Sequence, residues 1–274
     1  MQVPRIAFIG AGNMARALIG GLIASGADRA QFSVADPSAV ALDAVRGQFG
    51  VAVTTDNASA VERAQIVILA VKPQVMRTVV TALEPQIRAH RPLVVSVAAG
   101  IPLAAITNWL QGHERVVRTM PNRPALLRCG VTALFAAAAV TNTDRQLAET
   151  LLRTVGAVVW VAGESELNAV TAVSGSGPAY FFLLIELLEA AAREQGLAPD
   201  VARTLSIETA YGAGCLARQR EFSPAELRQQ VTSKAGTTEA ALREFETANL
   251  RGIVSRAVAA ATRRSAELAE QYGE

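Results

Sequence analysis

Short apolar runs alternate with amphipathic, helix-like segments up to about residue 162 of the chain. Each run holds four to six mostly apolar residues, as expected of strands that helices cover on both faces. The five clearest runs are residues 5–9, 31–35, 66–71, 93–98 and 116–119. Two further runs, 131–135 and 157–161, are predicted as edge strands. The alternation is typical of a parallel sheet with crossover helices.

The pattern changes after residue 162. Long segments rich in Ala, Leu and Glu follow, with breaks at Gly177-Pro178, Ala198-Pro199 and Ser223-Pro224. The segment 179–194 is apolar around most of its circumference, so it must be buried in a larger core or against another subunit. We therefore predict an α/β domain over residues 1–162 and an all-helical domain over residues 163–274, with the helical domains of two subunits paired.

Composition agrees with a folded and oligomeric protein, because 51% of the 274 residues are hydrophobic and 18% are charged. The 26 basic and 24 acidic residues form no basic block of the kind that nucleic-acid binding requires, so a small-molecule partner is favoured. Glu186 and Glu189 interrupt the most apolar stretch long before the roughly 20 residues that a membrane helix needs. The apolar run at the N-terminus is too short for a signal peptide. We expect no membrane span and a cytoplasmic location.

The cysteines and histidines offer no catalytic or metal-binding cluster. Cys129 and Cys215 have no metal-ligand spacing, so we predict two buried thiols without a disulfide or zinc site. His90 follows a predicted helix and His113 occupies a polar loop, so a surface position is predicted for both.

A glycine-containing loop joins the first predicted strand to a helix predicted at residues 14–25. The loop reads Gly10-Ala11-Gly12-Asn13-Met14-Ala15, which is the dinucleotide-binding fingerprint in its expected setting. Gly10 permits the tight turn, Gly12 leaves room for the pyrophosphate, and Ala15 allows the helix to pack closely. The phosphates would lie at the helix N-terminus, where free N–H groups favour anions. A tight turn without a ligand is the alternative interpretation.

Asp36 ends the second predicted strand, where its carboxylate would accept hydrogen bonds from the adenosine ribose and repel a 2′-phosphate. This placement points towards NADH. However, Ser38 and the N–H groups of the next helix offer a site for a phosphate, and Asp-Pro-Ser is equally typical of a helix cap. The choice between NADPH and NADH is therefore left open.

Two motifs lie at the C-terminal ends of predicted strands, the edge at which such sheets bind ligands: Ala70-Val71-Lys72-Pro73 and Met120-Pro121-Asn122. Two more follow later, Val173-Ser174-Gly175-Ser176-Gly177-Pro178-Ala179-Tyr180 and Thr232-Ser233-Lys234-Ala235-Gly236-Thr237-Thr238. Together with residues 6–15, these segments resemble the signature segments of the pyrroline-5-carboxylate reductase family, in the same order over essentially the full chain.

The resemblance implies a Rossmann-type dinucleotide-binding domain followed by an all-helical domain that joins two subunits into a homodimer, with a pentamer of dimers as a further assembly. It also implies reduction of 1-pyrroline-5-carboxylate to L-proline by hydride transfer from NADPH or NADH. In such a site, Ser233 and the N–H groups of Gly236 and Thr237 hold the substrate carboxylate, and Thr238 contacts the ring nitrogen as the catalytic residue. The implied cofactor-binding residues are Gly10, Gly12, Asn13, Met14, Asp36, Asn57, Val71, Lys72, Pro73, Ala98, Met120 and Asn122.

This chemistry suits a chain without a Ser-His-Asp set, a carboxylate pair or a metal cluster. The cofactor carries out hydride transfer, and the protein orients the reactants and excludes water. A pyrroline is basic enough to take a proton from solvent, so a modest donor such as Thr238 suffices.

The chain departs from the family pattern at three positions. The family usually has Pro-Gly where this chain has Lys234-Ala235, and commonly Thr at the position of Arg123. If the second position needs a positive φ, Ala235 strains the loop. Lys234 either adds charge for the carboxylate or is a solvated loop residue. Arg123 either contacts a carboxylate or phosphate or pairs with an acidic neighbour.

Two other functions stay open as alternatives. A 3-hydroxyacid dehydrogenase needs a catalytic lysine after its glycine-rich turn, but Ala179 and Tyr180 follow this turn, and Lys72 and Lys234 are the only lysines. A nucleotide-sensing module would keep the fold without turnover, and the Ser-x-x-Gly-Thr-Thr loop argues against it. Acceptance of a six-membered ring is also open, because apolar pockets discriminate one methylene weakly.

Overall fold

A computed structural model describes residues 4–273 of the chain. Contacts divide these residues into two compact units. The first comprises residues 4–175 and 261–273, and the second comprises Ser176–Ala260. Contacts therefore group residues 163–175 with the first unit, whereas the sequence pattern divides the chain at residue 162.

The first unit is built on eight strands: β1 (Ile6–Ile9), β2 (Phe32–Ala35), β3 (Ala52–Thr54), β4 (Ile66–Leu69), β5 (Leu93–Ser96), β6 (Val116–Met120), β7 (Gly130–Ala136) and β8 (Gly156–Trp160). Their order across the sheet is β3-β2-β1-β4-β5-β6-β7-β8. All neighbours are parallel except β6 and β7. The helices of this unit are α1 (Asn13–Ala24), α2 (Ala39–Phe49), α3 (Asn57–Val61), α4 (Pro73–His90), α5 (Leu103–Trp109), α6 (Asn142–Arg153) and α7 (Glu166–Val170).

Two apolar cores cover the two faces of the sheet. Alternation along β1 places Ile6 and Phe8 in one core and Ala7 and Ile9 in the other. Phe8 packs edge-on against Phe32, with ring centroids 6.1 Å apart. Burial on both faces explains why these strands are continuous apolar runs. The carboxyl ends of the parallel strands then lie along one edge of the sheet.

The five clearest predicted strands are confirmed as β1, β2, β4, β5 and β6, but two details of the sheet differ from the prediction. β3 was missed because its three residues, one of them exposed, carry too little apolar signal. β7 lies inside the sheet rather than at its edge, since it pairs with both β6 and β8. The connection 121–129 is too short for a crossover helix, so β7 runs antiparallel to β6.

Three predicted side-chain environments are wrong. Cys129 and Cys215 are exposed rather than buried. His113 is buried rather than exposed, and its Nε2 donates a hydrogen bond to the carbonyl oxygen of Pro92 at 3.0 Å. The turn at Gly112, with φ +90°, brings His113 back to the start of β5. This contact between segments distant in sequence is absent from the local polar pattern.

The second unit consists of helices. They are α8 (Gly177–Glu194), α9 (Pro199–Gln219), α10 (Pro224–Gln230), α11 (Thr237–Thr247) and the first part of α12 (Leu250–Gly273), whose last residues belong to the first unit. Helices α8 and α9 pack against each other. Among residues 176–260, all of which the structure describes, only Gly177, Ala202 and Ser206 are buried. This unit therefore has no apolar core of its own within one chain.

One described helical stretch, residues 166–194, contains a segment that is long and apolar enough to cross a membrane. Such a stretch was not expected from the sequence, because Glu186 and Glu189 interrupt its apolar run. Length and composition alone are weak evidence for a membrane span, since core helices of soluble proteins meet the same criterion.

Candidate functional site

The loop between β1 and α1 has the geometry that the glycine fingerprint predicts. Gly10 adopts φ +102°, and its N–H donates to the carbonyl oxygen of Ala35 at 2.7 Å. A Cβ at Gly10 would lie 2.7 Å from the carbonyl oxygen of Ala70, just after β4. Glycine is therefore required here by the backbone conformation and by the close approach of the neighbouring strand.

The N-terminus of α1 is open. Gly12 is its N-cap, and a Cβ there would meet no atom within 4 Å. No side chain caps the helix, so the N–H groups of its first turn need a partner from outside. Asn13 begins the helix one residue earlier than predicted, and Ala15 is fully buried against the sheet. An open, uncapped helix start of this kind fits a phosphate group.

Asp36 follows β2 and joins two loops. Its Oδ2 accepts a hydrogen bond from the N–H of Ala11, and its Oδ1 accepts one from the N–H of Ser38, both at 2.8 Å. Ser38 caps α2 by accepting a hydrogen bond from the N–H of Ala41. The helix-cap interpretation is therefore confirmed for Ser38, while Asp36 presents its half-buried carboxylate beside the glycine loop.

Four more predicted cofactor residues lie where helices follow β3 and β4. Asn57 is the first residue of α3, which Asp56 caps. Lys72 is the N-cap of α4, Pro73 is its first residue, and Val71 is half-buried just before them. Because β3 and β4 run in the same direction as β1, these helix starts lie at the same edge of the sheet as the glycine loop.

A cavity of about 240 Å³ opens between the glycine loop and the ends of β5 and β6. It is lined by Asn13, Met14, Val97, Ala99, Met120, Pro121, Asn122, Arg123, Leu126 and Gly175. Four of the predicted cofactor residues meet here, namely Asn13, Met14, Met120 and Asn122. Ala98 is buried and lies outside this lining. A mostly apolar cavity with a few polar groups is suited to an organic ring.

The side chain of Asn122 already has partners at both ends of its amide. Its Nδ2 donates to the carbonyl oxygen of Ser174 at 3.1 Å, and its Oδ1 accepts from the N–H of Val131 at 2.9 Å. Asn122 therefore shapes the cavity by joining the end of β6, the start of β7 and the segment that precedes α8.

Several contacts between segments distant in sequence were not predicted. Oε1 of Glu164 accepts hydrogen bonds from Nη1 of the buried Arg118 and from the N–H of Leu103, both at 2.6 Å. Near the end of α12, the hydroxyl of Tyr272 accepts a hydrogen bond from Nε2 of Gln74 at 3.0 Å. The available sequence signal was an arginine inside the apolar run of β6, which requires a buried partner.

The turn 233–236 precedes α11 in the second unit. The N–H of Gly236 donates to the carbonyl oxygen of Ser233 at 3.0 Å, so this N–H is not free for the carboxylate role that the sequence analysis predicted. A Cβ at Gly236 would overlap the hydroxyl of Ser233, so glycine allows that hydroxyl to lie beside the helix start. Thr237 and Thr238 begin α11, and their N–H groups have no partner within the helix. An anion is stabilised at such a helix start.

Ala235 adopts φ +59°, in the left-handed region. The family pattern has glycine at this position, so the strain expected from the sequence is present. The N–H of Ala235 donates to Oε2 of Glu239 at 2.6 Å, which ties the turn to the first turn of α11. Lys234 beside it is exposed.

Arg123 is exposed at the start of a short 3-10 helix and lines the cavity. Neither Arg123 nor Lys234 forms an ion pair with an acidic residue in the part of the chain from residue 4 to residue 273. The pairing of Arg123 with an acidic neighbour is therefore not observed there.

Comparison with known proteins agrees with this arrangement. A family model described as pyrroline-5-carboxylate reductase dimerisation matches residues 164–268. A second, described as NADP oxidoreductase, coenzyme F420-dependent, matches residues 5–100. The first match includes all of α8, α9, α10 and α11.

Full-length relatives are also similar. The chain is 48% identical over 274 residues to a pyrroline-5-carboxylate reductase of Pseudomonas aeruginosa, with 100% of each covered. It is 40% identical to that of Vibrio alginolyticus, covering 99% of this chain and 100% of the relative. A solved pyrroline-5-carboxylate reductase structure from Coxiella burnetii is 41% identical with a TM-score of 0.94, covering 97% of this chain and 99% of that one. The chain therefore belongs to the pyrroline-5-carboxylate reductase family.

Proposed function

We propose that this protein reduces 1-pyrroline-5-carboxylate to L-proline, the last step of proline biosynthesis, with NADPH or NADH as the hydride donor. The observation that carries the proposal is the turn 233–236, which places the Ser233 hydroxyl beside the open N-terminus of α11. Membership of the family and the open glycine loop of the first unit support it.

The cofactor site proposed is the carboxyl edge of the sheet. The open N-terminus of α1 behind Gly12 would hold the pyrophosphate. Asp36 and Asn57 would lie at the adenosine end, and the cavity lined by Met14 and Met120 would take the nicotinamide. When bound, the cofactor supplies the hydride.

The substrate carboxylate is proposed to bind at α11. The Ser233 hydroxyl and the N–H groups of Thr237 and Thr238 are the donors available for it, because the Gly236 N–H already donates within the turn. The role of Gly236 is to leave space for the Ser233 hydroxyl. The half-buried Thr238 hydroxyl would contact the ring nitrogen, accepting a hydrogen bond from the iminium N–H and donating one to the amine nitrogen that hydride transfer produces. Since the imine nitrogen takes its proton from solvent, no stronger acid is required.

The reaction is tested by following loss of reduced-nicotinamide absorbance with 1-pyrroline-5-carboxylate as the acceptor. We expect Thr238→Ala to lower kcat/KM by about 10- to 100-fold, the effect of losing one hydrogen bond to a reacting group. Thr247→Ala is the matched control, because Thr247 is exposed at the far end of α11. No oxidation by the unmodified protein, despite tight binding of NADPH or NADH, would favour a nucleotide-sensing module instead.

Cofactor preference is proposed to depend on Asp36. Its carboxylate lies beside the loop that would hold the pyrophosphate and opposes a 2′-phosphate. We expect Asp36→Ala to raise the ratio of kcat/KM with NADPH to that with NADH by about tenfold, since removing one close repulsive charge corresponds to roughly 1.4 kcal/mol. Asp43→Ala, which removes an exposed charge on α2, should leave the ratio unchanged. An unchanged ratio in Asp36→Ala would exclude this role.

The assembly proposed is a homodimer through α8 and α9, in which a second copy of the chain covers the exposed apolar helices. A further assembly into a pentamer of dimers and a cytoplasmic location stay predictions. The dimerisation family match over residues 164–268 supports a protein partner, rather than lipid, for the apolar stretch of α8.

A further inference from the structure

Glu239 lies beside the proposed carboxylate site, and the proposed function gives it no role. It is the third residue of α11, and its Oε2 accepts the hydrogen bond from the N–H of Ala235 at 2.6 Å. Ala235 itself has the left-handed backbone conformation, with φ +59°. We propose that Glu239 is a positioning residue, which holds the strained turn at Ala235 and thereby keeps the carboxylate-binding groups in place.

The strain at Ala235 has a definite physical cost. In an L-residue the left-handed region brings Cβ close to the following carbonyl oxygen, which is unfavourable, and glycine avoids this cost. A turn with alanine at this position therefore needs an additional interaction to stay closed. The hydrogen bond to Glu239 is suitable, because a carboxylate acceptor makes such a bond short and strong.

The bond acts on the groups that would bind substrate. Glu239 fixes the peptide that precedes Ala235, and the Gly236 N–H fixes the other side of the turn through the Ser233 carbonyl oxygen. Together these two bonds set where the Ser233 hydroxyl lies relative to the start of α11. Glu239 thus has the geometry of a helix-capping residue that reaches back beyond the N-cap.

The negative charge of Glu239 disfavours binding of an anionic substrate, whereas its hydrogen bond to the turn favours binding. A carboxylate near the site repels the substrate carboxylate, so removal of the charge alone lowers KM for the imine. Loss of the turn raises KM. The sign of the change in KM therefore separates a positioning role from a simple effect of charge.

The proposal rests on the proposed function and is tested with four variants in the reductase assay. Glu239→Ala should raise KM for 1-pyrroline-5-carboxylate by about threefold to tenfold, the effect of one lost hydrogen bond, with kcat within about twofold. Glu239→Gln keeps an acceptor and should have KM at or below that of the unmodified protein. Adding Ala235→Gly to Glu239→Ala should restore KM to within about twofold, because glycine adopts the turn without strain. Glu244→Ala, an equal loss of charge on α11, is the control.

The outcomes distinguish this inference from the proposed function. An active unmodified protein whose KM is unchanged or lowered in Glu239→Ala overturns the positioning role and leaves the reductase function standing. The positioning role is also overturned if KM rises in Glu239→Ala and Ala235→Gly does not reverse the rise. Thermal unfolding shows whether Glu239→Ala is folded in that experiment. An unmodified protein without imine-dependent oxidation overturns both proposals.

Discussion

His113 shows how one buried residue links stability to pH. Its imidazole is buried, and Nε2 donates to the Pro92 carbonyl oxygen. Burial lowers the pKa of His113 below its ordinary value of 6.5, although the backbone hydrogen bond at Pro92 opposes this effect, and the positive charges of Arg91 and Arg115 lower the pKa further. Below pH 6.5 the unfolded chain therefore binds a proton at His113 more readily than the folded chain does.

The expected result is a free energy of unfolding that decreases as pH falls from 7.5 through 6.5 to 5.5. The contribution of His113 is complete above pH 6.5, because both states are then neutral at this residue. Urea unfolding at these three pH values measures the free energy of unfolding. His113→Gln should weaken the pH dependence, whereas His90→Gln, at an exposed histidine that ends α4, should retain it. Equal slopes for His113→Gln and the unmodified protein would contradict the assignment.

Residues whose roles depend on local backbone geometry could be predicted from the sequence, and residues whose environments depend on distant packing could not. Gly10 was predicted to permit a tight turn, and it has φ +102°. Ala235 was expected to strain the turn if this position needed a positive φ, and its φ is +59°. The burial of His113 depends on Pro92, which lies 21 residues away, and no periodicity in the sequence reports that contact.

At the scale of secondary structure elements, the turn from β1 into α1 separates two uses of glycine. Gly10 is needed for the fold, because it has a positive φ and a Cβ there would contact Ala70. Gly12 has φ −72° and open space around it, so the fold does not require glycine there. Its proposed use is to admit the pyrophosphate.

Two substitutions distinguish these uses. We expect Gly10→Ala to lower the free energy of unfolding by about 2–4 kcal/mol, through backbone strain and steric overlap. We expect Gly12→Ala to lower it by less than about 1 kcal/mol but to weaken NADPH binding by about tenfold or more, because the methyl group occupies the phosphate position. Chemical denaturation and fluorescence titration with NADPH measure the two effects. Unchanged NADPH affinity in Gly12→Ala would place the phosphate elsewhere.

The sheet shows the same limit of sequence-based prediction at the scale of elements. Buried parallel strands were recognised because burial on both faces makes them apolar throughout, as in β1, β4 and β5. The position of β7 could not be recognised, because an apolar run does not say which strands will be its neighbours. The turn 121–129 decides that arrangement, together with Asn122, whose amide joins it to β7.

At the scale of the whole molecule, the two units differ in how they are stabilised. The first has two apolar cores, whereas residues 176–260 bury only Gly177, Ala202 and Ser206. Hydrophobic burial is the main favourable term in folding, so a helical unit without it needs a partner. The apolar circumference of segment 179–194 predicted this from the sequence, and α8 does carry a continuous set of exposed apolar side chains: Phe181, Phe182, Leu183, Leu184, Leu187 and Leu188.

The proposed assembly through α8 leads to a prediction about Leu187, which is 56% exposed in the single chain. Leu187→Glu would bury an unpaired carboxylate in the proposed homodimer interface, which costs several kcal/mol. Sedimentation velocity without detergent should show a shift from dimer or larger species towards monomer at micromolar concentration. Because the helical unit has no core of its own, helical circular dichroism should fall in the same variant.

Val40→Glu is the matched control, since Val40 is 80% exposed on α2 of the first unit and should leave assembly unchanged. If Leu187→Glu stays a dimer with unchanged helicity, α8 lies outside the interface and another surface must stabilise the helical unit.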